Sequence, residues 1–178
     1  MHASRPPQAQ ETTPAARHWA LLPGARFADS FRIPLTPELA PLDATEIAAR
    51  MMAEQPGWIS ALMRLRDLLV APLGLKRAGD HGAPAGFPLL LAEPARVVMG
   101  LDDSHLDFRL CVEKLEAAGP EGSAGPGWLT VTTVVRTKRL LGSVYLAAIM
   151  PFHRRIARTL LQGVARSHPD KPAASMQQ

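Results

Sequence analysis

The order of hydrophobic patterns along the chain predicts an α+β fold: a curved antiparallel sheet packed against a long C-terminal helix, with two further helices after the first strand. Three observations predict it. Period-two alternation appears at 27–35 and recurs in short runs between 87 and 139; two helical patterns with start and stop signals lie between these regions; and a single apolar arc runs through the last folded segment.

The first 17 residues carry two early prolines, polar residues and no apolar run, and they read as a tail, as does the Pro- and Ala-rich stretch from Ser167 onward. One domain over 18–166 is expected. About 150 residues suffice to bury roughly two thirds of the surface that the unfolded chain exposes. In "FADSFRIPL", Phe27, Asp29, Phe31 and Ile33 alternate with Ala28, Ser30 and Arg32 and stop at Pro34, which suits a strand at a sheet edge or at its own end.

Asp43 followed by Glu46 has the spacing of a capping box, and Pro56 and Gly57 close the pattern, which gives a helix over about 44–54. Trp58, Leu62, Leu65 and Leu69 then share a helical face away from Arg64 and Asp67, so a second helix runs to Val70 before Pro72 and Gly74. "KRAGDHGAPAG" reads as loop and lacks the flanking strand and helix of a phosphate-binding turn.

Four β-rich runs follow: "FPLLLAE", "ARVVMGLD", "SHLDFRLCVEKLEA" and "GWLTVTTVVRTKR". Turn signals between them indicate an antiparallel meander. The third run alternates up to Val112 and loses phase at Leu115, the mark of a bulge or of the end of its buried portion. The fourth is apolar on parts of both faces and so belongs in the centre of the sheet. From Ser143 to Ala165 the chain reads as helix, with Pro151 kinking it or starting a second one. Tyr145, Ile149, Phe152, Ile156, Leu160 and Val164 form its apolar arc, opposite Arg154, Arg155 and Arg158.

Composition narrows the function classes. The chain is 47% hydrophobic and 20% charged, and it contains a single cysteine, Cys111, which rules out an internal disulfide and a multi-thiolate zinc site. Neither a signal-peptide core nor a window long and apolar enough to span a membrane is present, and a cytoplasmic location is expected. The net charge of +4 is unevenly placed, with no acid between Gly122 and Pro169. That asymmetry suits either a solvated basic helix face or an anionic partner. No helix-turn-helix, zinc-finger or aromatic basic strand pattern points to nucleic acid.

Candidate chemistry centres on histidines. His153 falls within the apolar arc of the last helix, where an imidazole facing a cavity could hold a ligand or transfer a proton, and where a buried neutral histidine could equally serve packing. Tyr145, Ile149, Trp58 and Thr133 are the other candidate lining residues. His105, Asp107 and Arg109 share one face of a strand, as a polar cluster inside a cavity or as an outward ion-pair ladder, depending on which face meets the helix. Leu106, Phe108, Leu110 and Val112 are the better core candidates. Asp102 and Asp103 precede His105, but no second histidine stands at ligand spacing, and neither a metal nor another cofactor is expected. Cys111 lies on the His105 face with no base identified beside it.

The segments "ADSF", "LRDLL", "LDDSHLDFRLCV", "TVTTVV", "LGSVYL" and "PFHRRI" resemble successive signatures of the bacterial DUF2867 domain-of-unknown-function family, over Trp19 to Arg166. Its members occur alone or attached to the C-terminus of short-chain-dehydrogenase-like proteins. The family is in turn similar to the START-like helix-grip (SRPBCC) superfamily, whose curved sheet wraps a long C-terminal helix. The resemblance implies a cavity for an apolar or amphipathic small molecule between sheet and helix. Superfamily members include carriers, cyclases and folding-related modules, so three readings stand: a binder, a cyclase- or dehydratase-like enzyme using His153, and an interaction module for a separate short-chain-dehydrogenase-like oxidoreductase.

Overall fold

The computed structural model describes residues 7–70, 87–104, 106–118 and 124–166. In chain order the elements are β1 (Gln10–Thr12), α1 (Ala16–Trp19), β2 (Phe27–Pro34), α2 (Ala44–Ala53), α3 (Gly57–Val70), β3 (Leu89–Glu93), β4 (Arg96–Asp102), β5 (Leu106–Ala118), β6 (Ala124–Thr137) and α4 (Leu140–Val164). The six strands form one antiparallel sheet in the order β1-β2-β6-β5-β4-β3. This is the expected α+β arrangement, with two helices after the 27–34 strand and a long C-terminal helix on the sheet.

One face of the sheet is apolar and carries α2, α3 and α4. Phe31 and Ile33 stand beside Val131 and Leu129, followed by Val112 and then Val97 and Met99, and all are buried. Packed on them are Ile47 and Met51 of α2, Ile59 of α3, and Leu160, Leu161 and Val164 of α4. Helix α4 lies over β2 and β6, while α2 lies over β3, β4 and β5. The capping box at the start of α2 forms as its spacing requires, the main-chain N–H of Asp43 donating to Glu46 Oε2 at 3.1 Å.

Helix α4 is a single helix through Pro151, which is exposed. Its buried arc centres on Ala157, Leu160, Leu161 and Val164, and Phe152 emerges at 52% exposure. The expected arc was therefore rotated: small Ala157 belongs to the buried side, and a reading by large apolar residues gave it no weight.

The expected N-terminal tail requires a larger correction. Residues 10–12 form β1 and pair with Arg32, Phe31 and Ser30. The chain then crosses to the far face of the sheet, where His18 and Leu22 are buried, and returns through Gly24 at φ 79° to enter β2. Consequently β2 is not the edge strand; β1 is. This arm is short and polar, and hydrophobic periodicity does not register it. The expected loop at 76–86, the tail from Ser167 and His105 lie outside the described residues.

Strand β6 is central, between β2 and β5, as its two half-apolar faces suggest. The register of β5 with β6 shifts between Leu115 and Ala117, where the alternation of the sequence breaks. Gly100 in β4 sits opposite Arg109 in β5, and an added Cβ would lie 2.6 Å from the Phe108 carbonyl oxygen and 2.7 Å from Arg109 Cδ. Gly100→Ala is therefore expected to cost about 1–3 kcal/mol in urea unfolding, because main chain must move. A Cβ at Gly163 in α4 meets nothing within 4 Å, and Gly163→Ala should raise stability by about 0.5 kcal/mol. Equal effects at the two sites would contradict the close approach at Gly100.

Candidate functional site

His153 projects from α4 onto β2, where it meets a carboxylate. Asp29 occupies the helix-facing phase of β2, between Phe27 and Phe31, directly opposite Thr133 of β6. His153 Nε2 lies 3.1 Å from Asp29 Oδ1, and the Phe27 ring meets the imidazole edge-on at 6.5 Å between centroids. A carboxylate only accepts, so Nε2 carries the proton and Nδ1 of the neutral ring is left as the basic nitrogen. Asp29 is 5% exposed and the His153 side chain 23% exposed.

The second oxygen of this carboxylate is unusual. Asp29 Oδ2 is buried and has no hydrogen-bond partner among the described residues. Native interiors pair the great majority of such atoms, since an unpaired buried acceptor costs about 1–3 kcal/mol. Asp29 lines an open cleft of about 330 Å³ together with Ala28, Glu11, Thr12, Thr13, Pro14 and Arg154. Strand β1 covers β2 only at Ser30–Arg32, so the cleft lies where the sheet edge is left bare beyond the end of β1.

The arginines of α4 partly define that cleft. Arg158 Nη2 donates to Glu11 Oε2 at 2.9 Å, and Arg154 Nη2 stands 3.8 Å from Glu11 Oε1. Arg155 lies over the Trp58 ring at 5.3 Å. The basic face thus ties α4 to β1 on one side and to α3 on the other. Trp58 itself borders a different cleft of about 300 Å³, with Ala61, Leu62, Phe152 and Arg155. Of the sequence candidates, His153 and Thr133 come together around Asp29, whereas Trp58 sits apart from them. Ile149 is half-buried on α4, and of Tyr145 only the backbone is described.

Asp107 and Arg109 face away from α2, α3 and α4, on the side shared with Cys111 and Glu113. Buried Asp107 accepts from Arg136 Nη2 at 2.6 Å and has Lys138 Nζ at 2.6 Å, while Arg109 donates to Asp102 at 2.6 Å. The polar triplet is thus, in its two described members, an ion-pair ladder of the far face rather than part of the His153 site.

Also on the far face, the arm from β1 docks on Glu113. The Ala15 N–H donates to His18 Nδ1 at 3.0 Å, which places the ring proton on Nε2, and Nε2 donates to Glu113 Oε1 at 2.6 Å. Arg17 adds Nη2 to Oε1 at 2.9 Å and Nε to Oε2 at 3.4 Å. His18, Cys111 and Glu113 bring donor atoms within 4.8 Å of one another, an arrangement that could suggest a metal. Their chemistry argues otherwise: both carboxylate oxygens are already engaged, and burial pushes the Cys111 thiol up to about 12. The cluster is a structural clamp. Sequence reading missed it, and missed Asp29 as a site residue, although an acid in the apolar phase of a strand was a visible signal.

Burial pushes the carboxyls of Glu113 and Asp107 up, but hydrogen bonds from His18 and Arg17, and from Lys138 and Arg136, outweigh it and hold both below the usual carboxylate range. A depressed folded pKa adds stability above the unfolded value of about 4, and that stability is lost as pH falls through the folded value. The urea midpoint should therefore fall below about pH 4, and Glu113→Gln should flatten that fall. At neutral pH, Glu113→Ala should cost about 1–3 kcal/mol by leaving the buried His18 Nε2–H without its acceptor. A pH profile unchanged by Glu113→Gln would remove the clamp from the account.

A family model described as a protein of unknown function, DUF2867, matches residues 21–160, which hold Asp29, Thr133 and His153 but not β1 or α1. No curated protein and no solved structure matches the chain. With most of its length matched, the chain belongs to the DUF2867 family.

Proposed function

We propose that the domain binds an amphipathic small molecule in the cleft beside α4, with the polar end of the ligand engaging Asp29 and His153. The observation that carries this reading is the buried, unpartnered Oδ2 of Asp29 on a cleft of about 330 Å³. A donor group of a ligand would supply the hydrogen bond that this oxygen lacks. The volume lies at the small end of the range for ligand sites, which suits a compact molecule. A START-like helix-grip relationship is part of the same reading, supported by the long helix across an open antiparallel sheet.

A second reading, acid–base catalysis of the cyclase or dehydratase kind, draws on the His153–Asp29 bond. Asp29 fixes the tautomer that leaves Nδ1 as proton acceptor, and an ion pair with Asp29 would stabilise the imidazolium after proton uptake.

Native mass spectrometry of freshly purified protein tests binding. A non-covalent adduct is expected on the unmodified protein, with at least tenfold lower occupancy in Asp29→Asn. Asparagine still offers an oxygen to His153 Nε2–H, so the urea midpoint of this variant should stay level or rise. The opposite pattern, a destabilised Asp29→Asn that keeps the same adduct, would make the pair a packing device and end the binding proposal.

A further inference from the structure

The charges around the Asp29 cleft define its ligand more narrowly. Four ionisable groups stand at or beside it: Glu11, Asp29, Arg154 and Arg158. Glu11 and Arg158 satisfy each other at 2.9 Å, and Arg154 only grazes Glu11 at 3.8 Å while remaining 51% exposed. What is left is a buried carboxylate oxygen of β2 with no partner among the described residues, and a half-exposed guanidinium of α4 whose ion pair with Glu11 is long. These two charges have opposite signs, sit on different elements and line one cavity. Thr12 and Thr13, whose hydroxyls both donate and accept, line the same cleft.

A ligand that is only cationic would answer Asp29 and leave Arg154 unused; one that is only anionic would face the buried carboxylate unfavourably. We infer that the cleft takes a small amino-acid-like zwitterion, its ammonium group on Asp29 and its carboxylate on Arg154. Arginine is suited to the second role, since its planar fork matches a carboxylate with two parallel hydrogen bonds. Asp29 is suited to the first because a buried carboxylate oxygen without a donor discriminates strongly for a charged N–H group over an apolar one. The small volume, about 330 Å³, admits a free amino acid or a short peptide end and little more. His153 adds a specific consequence: with its Nε2 proton on Oδ1, it directs the ammonium to Oδ2. The inference rests on reading this cleft as a ligand site.

Leucine, leucinamide and N-acetylleucine share one apolar side chain; leucinamide has a neutral amide in place of the carboxylate, and N-acetylleucine a neutral acetamide in place of the ammonium group. Titrated into the full chain and followed by ¹H–¹⁵N chemical shifts, leucine should bind at least tenfold more tightly than either derivative. Asp29→Asn should weaken leucine and leucinamide alike, and Arg154→Gln should weaken leucine and N-acetylleucine alike. The dipeptide Leu-Leu separates a free amino acid from a peptide terminus, because its carboxylate stands one residue further from its ammonium group. If a single-charge derivative binds as well as leucine and is still lost in Asp29→Asn, the zwitterion is wrong and the cleft remains a site. If leucine and its derivatives bind but neither variant weakens them, they bind elsewhere and the inference is overturned. If none of the probes shifts any resonance and the purified protein also carries no Asp29-dependent adduct, the site reading falls with it.

Discussion

The carboxylate of Glu113, buried on the far face of the sheet and held by His18 and Arg17, is the contact on which the candidate site depends. It joins residues about 95 positions apart in the chain, and it fixes a segment that has little apolar surface of its own to bury. With α1 anchored there, the preceding residues are held along the edge of β2 as β1. Glu11 is then in reach of Arg154 and Arg158, and residues 11–14 become one wall of the cleft. A carboxylate on one face of the sheet therefore shapes a cavity at the edge of the other.

Of the three buried carboxylates among the described residues, Glu113 and Asp29 meet opposite fates. Glu113 has both oxygens occupied by donors, including a guanidinium, and the balance leaves it readily ionised. Asp29 has one oxygen on a histidine and the other without a partner among the described residues. Natural sequences rarely leave such an atom unsatisfied, and the exceptions concentrate where a site is built for something not yet bound. The contrast within one sheet is what separates clamp from candidate site. Cys111 points the same way, because its raised thiol pKa and complete burial suit a packed residue rather than a nucleophile.

Much of the fold is legible in the sequence because its elements announce themselves locally. The alternation of β2, the Asp43–Glu46 capping box, the phase break at Leu115 and the two-sided β6 each appear where their residues demand. What could not be read locally was anything held by distant partners. Strand β1 and α1 are short and polar, and their stability comes from β2 and Glu113. For the same reason the Asp107–Arg109 face could be defined only once the packing of Leu110 and Val112 was known. His153 was legible as an inward residue, since it lies in the arc of Ile156 and Leu160. Its partner carries a weaker signal, a carboxylate in the apolar phase of β2, and alternation alone does not say that α4 meets it there.

The His153–Asp29 bond also joins helix to sheet, and this makes ligand occupancy and packing interdependent. Helix α4 buries its C-terminal half against the core, while Leu140, Val144 and Phe152 in the N-terminal half remain exposed. His153 stands where the packed half begins, at the boundary between the two. A donor placed on Asp29 Oδ2 would satisfy an oxygen that has no partner among the described residues, a change worth about 1–3 kcal/mol when such an acceptor gains its bond. Whatever binds there selectively stabilises the native arrangement by mass action, and the stabilisation acts where the helix is least covered. Recognition and helix docking thus share one carboxylate, docking through Oδ1 and recognition through Oδ2.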